Sequence, residues 1–124
     1  AAGLASAKDR IVSATGDYTI RSILFDIARQ NVWPAPYTGR VLRNSFSQRW
    51  RGREAELLQH QEEEADRYAK ARAAGDFDTA AVIGGEVVDL ITDISPAAEI
   101  VHRMVTVAAG LLSGASNRYR VAEQ

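Results

Sequence analysis

The 124-residue chain contains no cysteine, which excludes a disulfide framework and a thiolate metal site. Aromatic residues make up only 7% of it, and many of its apolar residues are alanines. Alanine covers little area, so the expectation is a thin core or one completed by a partner. No apolar run approaches the ~20 residues that a membrane-spanning helix needs. No glycine-rich phosphate loop of the GxGxxG or P-loop kind is present. No serine sits in an elbow or triad context. His60 and His102 lack ligand-spaced partners. His60 has Glu64 four residues on, and His102 has Glu99 three residues back. Both read as exposed or ion-paired helix residues, and no metal site is expected. No internal repeat occurs.

What remains fits a single domain, and one of this length buries roughly two-thirds of its unfolded surface. The opening Ala1-Ala2-Gly3-Leu4 has neither an initiator methionine nor the basic-then-apolar order of a signal peptide. The expectation is a piece or processed product of a longer, cytoplasmic polypeptide. The net charge of −1 is unevenly spread. Residues 1–53 carry nine Lys and Arg against three Asp and Glu, a net +6, while residues 54–124 carry six against thirteen, a net −7. A basic half raises nucleic-acid binding as a reading. Charge complementarity within one molecule is the simpler one.

Leu4, Lys8, Ile11 and Val12 share a helical face, so the spacing predicts a short helix over 4–14, stopped by Gly16-Asp17. Tyr18 to Phe25 is rich in β-formers and reads as a strand. Residues 30–39, with Pro34 and Pro36, read as a loop, and Arg40 to Phe46 as extended or irregular chain. Good helix formers then predict one long helix over 49–74. Leu57, Leu58, Ala65, Tyr68, Ala69 and Arg72 trace one face of it, and Glu63–Arg67 and Asp66–Lys70 form i,i+4 pairs. The Glu62-Glu63-Glu64 run reads as a solvated face. Gly75 is the expected stop, Asp76 the cap of a short helix over 77–83, and Gly84-Gly85 its break. Ser95 then caps a last helix whose first position is Pro96. Its apolar stripe runs through Ala97, Ile100, Val101, Met104, Val105, Ala108, Leu111 and Leu112. Ser113-Gly114 is expected to end it, and 116–124 to form a loose tail.

Two stretches carry chemistry. The first is Thr38-Gly39-Arg40-Val41-Leu42-Arg43-Asn44-Ser45-Phe46. The second is Gly84-Gly85-Glu86-Val87-Val88-Asp89-Leu90-Ile91, followed by the Pro96-initiated helix. Their order and spacing resemble the C-terminal part of FMN-dependent nitronate monooxygenases, the 2-nitropropane dioxygenase-like flavoenzymes. The Gly75-Asp76 step between them is also family-like, and the resemblance covers most of residues 18–113. That family has a (β/α)8 barrel with FMN at the C-terminal ends of its strands. Its members oxidise alkyl nitronates with dioxygen to a carbonyl compound and nitrite, with the flavin carrying the electrons.

The residue patterns read as a mainly α segment with one or two short strands, and the resemblance implies that it is the helical cap and closing part of an oxidoreductase. Residues 1–17 would follow the last barrel strand, 18–48 would carry the Thr-Gly-Arg segment, and 49–83 would form a helical cap. Residues 84–113 would supply the glycine turn and closing helix, and 114–124 the tail. FMN would be held mainly by the barrel, with Gly84, Gly85 and Glu86 as the candidate cofactor contacts. No catalytic residue is placed in this chain, which alone would be silent. Many members carry Gln where Glu86 stands and Gly where Asp89 stands. A carboxylate there would repel an anionic flavin or nitronate. The implied partners are the upstream barrel of the same protein and a small-molecule substrate, with a homo-oligomer open.

Other readings stand beside this one. An FMN-dependent enoyl reductase would share the scaffold and need a nicotinamide donor. A free-standing helical interaction module would use Ile100, Met104, Val105 and Leu111 to bind a second helix. Arg40, Arg43 and Asn44 fit either an anion site or a locked loop. Trp33, Tyr37, Phe46 and Trp50, interleaved with Arg40, Arg43, Arg49, Arg51 and Arg53, have the composition of a single-strand platform. They lack any recognised nucleic-acid motif, and the aromatics are expected to pack against the barrel instead.

Overall fold

The computed structural model describes residues 2–31 and 33–119, and side chains from residue 7 to residue 115 except residue 32. The chain divides into two compact units, one ending at Asp93 and one beginning at Ile94. Both are dominated by helix. The first unit holds α1 (Ala2–Ser13), β1 (Thr19–Ser22), α2 (Leu24–Ala28), β2 (Gly39–Leu42), α3 (Ser45–Trp50), α4 (Glu54–Gln59) and α5 (Gln61–Ala74). Short 3-10 turns occupy Gly16–Tyr18 and Glu86–Leu90. The second unit holds α6 (Ala97–Tyr119).

β1 and β2 pair antiparallel, with Thr19 opposite Leu42 and Ser22 opposite Gly39. The strand expected over 18–25 is cut short at Ser22, whose Oγ accepts the Leu24 N–H at 3.1 Å. That local bond turns the chain into α2. All five residues of α2 are buried, so this helix has no polar face and shows no helical period in sequence. Phe25 therefore sits on a helix, where Phe46 and Tyr68 meet it at ring-centroid distances of 5.1 and 6.4 Å. Leu24, Ile27, Trp50, Leu57 and Ala80 complete this core. A second, smaller cluster joins Leu42, Val82 and Val88 to Ala7, Ile11 and Ala14 of the first helix and its end. Ile11 lies on the face expected for α1, whereas Lys8 is exposed and the Leu4 side chain falls outside the described residues.

The long helix expected over 49–74 is three helices. Gly52 takes a left-handed φ of 77°, which glycine alone adopts freely, and this separates α3 from α4. His60, at φ −103° and ψ 19°, leaves helical geometry between α4 and α5. The breaks rotate the buried faces. Leu57 is fully buried while Leu58 is exposed, and α5 buries Glu64, Tyr68 and Ala71 rather than Ala69 and Arg72. The solvated-face reading of 62–64 thus fails at Glu64, whose side chain is only 2% exposed and pairs with Arg67 Nη1 at 3.0 Å. Glu63–Arg67 and Asp66–Lys70 form as the spacing predicts. Gly75 closes α5 at φ 72°.

No helix covers 77–83. Asp76 does accept a hydrogen bond from Asp78 N–H at 3.0 Å, but the chain then extends, and Ile83 bridges Val41. Cross-chain pairing wins over local propensity because it buries Ala80 and Val82. The segment expected over 40–46 to be extended or irregular is extended as β2 and then turns helical at Ser45, where α3 begins. Asn44 joins the two. Its Oδ1 accepts the Ser47 N–H at 2.9 Å, and Ser47 Oγ accepts the Asn44 N–H at 2.9 Å, a reciprocal cap. Asn44 Nδ2 donates to the Phe77 and Ala80 carbonyls at 3.1 and 3.0 Å.

In the second unit, Pro96 O accepts the Glu99 and Ile100 N–H groups as the helix begins. α6 runs through Ser113-Gly114 to Tyr119. Ser113 Oγ donates back to the Ala109 carbonyl at 2.9 Å, so its hydroxyl is satisfied inside the helix rather than ending it. Part of the expected tail is therefore helical, and 120–124 lie outside the described residues. Ile100, Val101, Met104, Val105, Leu111 and Leu112 are all exposed. Among the described residues, no helix is long and apolar enough to cross a membrane.

Asn44→Ala removes the cap and orphans the buried Ala80 carbonyl and the partly buried Phe77 carbonyl together. It is expected to destabilise the first unit by about 2–4 kcal/mol in urea unfolding. A loss below about 0.5 kcal/mol would mean that the cap is not formed.

Candidate functional site

The two stretches singled out in the sequence lie about forty positions apart and meet in space. Val41 bridges Ile83. Leu42 N–H donates to the Val82 carbonyl at 2.9 Å, and Gly84 N–H to the Arg40 carbonyl at 3.3 Å. Arg40 Nη2 pairs with Glu86 Oε1 at 2.6 Å. Its Nη1 donates to Thr19 Oγ1 at 3.0 Å, and that hydroxyl donates to the Gly16 carbonyl at 2.7 Å. Gly16 N–H in turn donates to Asp89 Oδ1 at 2.8 Å. A chain of polar contacts therefore runs Glu86, Arg40, Thr19, Gly16, Asp89, starting and ending on one 3-10 turn.

This arrangement defines what each candidate residue does. Glu86 opens the 3-10 turn and is 69% exposed, with one carboxylate oxygen held by Arg40. The pairing offsets the negative charge that would repel an anion. Gly84 packs inward, and a Cβ there would meet Val88 Cγ1 at 3.2 Å. Gly85 has extended backbone, φ −83° and ψ 177°, and is exposed. Space for a close approach from outside exists at Gly85 and Glu86. Asp89 accepts the Gly16 backbone N–H. Gly16 itself was read only as a helix stop. An added Cβ there would lie 2.6 Å from Asp89 Oδ2 and 2.8 Å from the Glu86 carbonyl, so contact with the 86–89 turn requires the bare backbone.

Arg43 is different in kind. Its Nε is buried without a hydrogen-bond partner, and its guanidinium makes no ion pair among the described residues. Asn44 is a cap and not a ligand. Phe46 and Trp50 are buried core residues, so neither packs outward against a barrel and the aromatic–arginine mixture presents no stacking row. Arg49 and Arg53 instead lie over the Trp50 ring at 4.7 and 5.2 Å. Trp33 and Tyr37, at 58% and 67% exposure, are the outward-facing aromatics of the proline loop. The charge asymmetry is used internally, since Arg10–Asp78, Arg40–Glu86 and Arg49–Glu64 each join the basic half to the acidic half.

Titration offers little chemistry. Hydrogen bonding from Arg53 holds the Glu56 carboxyl below its ordinary value, and the same bond raises Arg53. Both groups are at the solvent surface and belong to neither junction segment. His60 and His102 are exposed, with His60 6.4 Å from the Trp50 ring. Among the described residues, no three His, Asp or Glu side chains converge in a metal-binding group. The protein groups can pack, hydrogen-bond and balance charge, so any redox chemistry here would be a cofactor's.

Gly16→Ala forces the 86–89 turn to move and is expected to cost about 1–3 kcal/mol, as overpacking does. Gly85→Ala, whose Cβ would meet nothing closer than 3.7 Å, is expected to cost under about 1 kcal/mol in the same urea titration. Equal costs would contradict the close approach at Gly16. No family model, curated protein or solved structure matches this chain.

Proposed function

We propose that this chain is the C-terminal part of a cytoplasmic, FMN-dependent nitronate monooxygenase-like enzyme, where it roofs the pocket of an upstream (β/α)8 barrel. The observation that supports the reading is the junction itself. The two segments that resemble the family are built into one layer by backbone pairing at Leu42–Val82 and by the Arg40–Glu86 ion pair. A shared functional surface needs such segments to be adjacent, whereas unrelated motif fragments need not meet. The exposed Gly85 and Glu86 and the exposed Trp33 and Tyr37 give the unit groups that can face a larger body. Glu86 then acts as a charge-balanced hydrogen-bonding group beside flavin or substrate, and the flavin performs the oxidation. An FMN-dependent enoyl reductase would use the same layer and differ in requiring a nicotinamide donor.

A second reading rests on α6. Its exposed Ile100, Met104, Val105 and Leu111 fit a helical module that binds a partner helix. The two readings separate on the protein from its natural source. The enzyme reading expects a polypeptide much heavier than 124 residues, the visible bands of bound flavin, and nitrite release from a propyl nitronate without added NADH. A colourless polypeptide of this length, with no nitrite release, would overturn it and leave the helical module.

A further inference from the structure

The first unit contains a pocket of about 310 Å³ that is separate from the candidate flavin contacts. This is near the lower end of the volumes of small-molecule sites, roughly 300–1,000 Å³. Its lining includes the apolar Phe77, Val82 and Leu42 together with Thr15, Tyr18 and Arg43. Arg43 is fixed there by its backbone, whose N–H donates to the Tyr18 carbonyl at 2.9 Å. The Arg43 Nε is buried without a hydrogen-bond partner, and no carboxylate pairs with this guanidinium among the described residues. Arg10 also lines the pocket, but its charge is answered by Asp78 at 3.0 Å and the Phe77 carbonyl at 3.2 Å. The pocket lining thus combines one cation without a carboxylate partner among the described residues, Arg43, with the hydroxyl residues Thr15 and Tyr18 and the apolar Leu42, Phe77 and Val82.

The geometry points to a binding site for a small monocarboxylate with an apolar body, a short fatty acid or an aryl acid. Arg43 would hold the carboxylate through charge-assisted hydrogen bonds, which are about twice as strong as neutral ones. Phe77 and Val82 would cover the alkyl or aryl part. The inference needs neither the flavin nor the barrel, so it stands or falls independently of the enzyme reading.

The test is an amide NMR titration of the full 124-residue chain with hexanoate and benzoate, against hexanamide and benzamide. Saturable shifts are expected at Thr15, Tyr18, Arg43 and Val82, with the neutral amides at least about tenfold weaker. Arg43→Gln is expected to weaken hexanoate by about tenfold or more, and Arg43→Lys by less. The acid-against-amide comparison on the unaltered chain decides the matter even if Arg43→Gln fails to fold. Absence of saturable shifts at about 10 mM acid, or equal affinity for acid and amide, would overturn the inference. So would a folded Arg43→Gln chain that binds hexanoate unchanged.

Discussion

The side chain of Asn44 is the constraint on which the first unit depends. It is buried at the point where β2 ends and α3 begins, and it is bonded in three directions. One bond starts α3, which delivers Phe46 and Trp50 to the core. The other two hold the 77–80 turn, which leads Val82 and Ile83 alongside β2. A buried amide that lost any of these partners would leave a polar group unmet in a low-dielectric interior. The Thr38–Phe46 stretch therefore acts first as a piece of architecture. Whatever Arg40 and Arg43 do chemically depends on that architecture holding them.

The junction also gives meaning to the acidic residues Glu86 and Asp89. Glu86 answers Arg40, and Asp89 receives the Gly16 amide. Both carboxylates tie the 3-10 turn to the start of β1 and to β2. The same turn offers Gly85 and Glu86 outward. Gly84 packs against Val88, whereas Gly85, Glu86 and Asp89 are exposed, so the turn is tied down by its carboxylates and still open on its outer side.

Features governed by local chemistry were legible in the sequence. Gly75, the pairs Glu63–Arg67 and Asp66–Lys70, and the start of α6 after Ser95-Pro96 all depend on residues within a turn of one another. The mainly helical class followed from the same patterns. Features set by distant partners were not legible. α2 looked like a strand because burial on every side erased its helical period. Residues 77–83 looked helical because their pairing with β2 is invisible locally. Glu64 looked solvated because one of its arginine partners, Arg49, lies on a different helix, α3. In the candidate site, Gly84, Gly85 and Glu86 stood out, whereas the Arg40–Thr19–Gly16–Asp89 contacts did not. Such contacts join residues up to 73 positions apart, and no spacing rule reaches that far. The Gly52 break was available, since a glycine in a helical run is a standing warning.

The most direct test of this account is native-state hydrogen exchange at the Leu42 and Phe46 amides. Both donate across the junction, to Val82 and Asp78. If the two segments form one structural layer, these amides should exchange only through opening of the whole first unit, with the protection of the α2 and α5 core. Exchange at the rate of exposed loop amides, while α5 stays protected, would contradict the junction. The functional reading built on it would then lose its support.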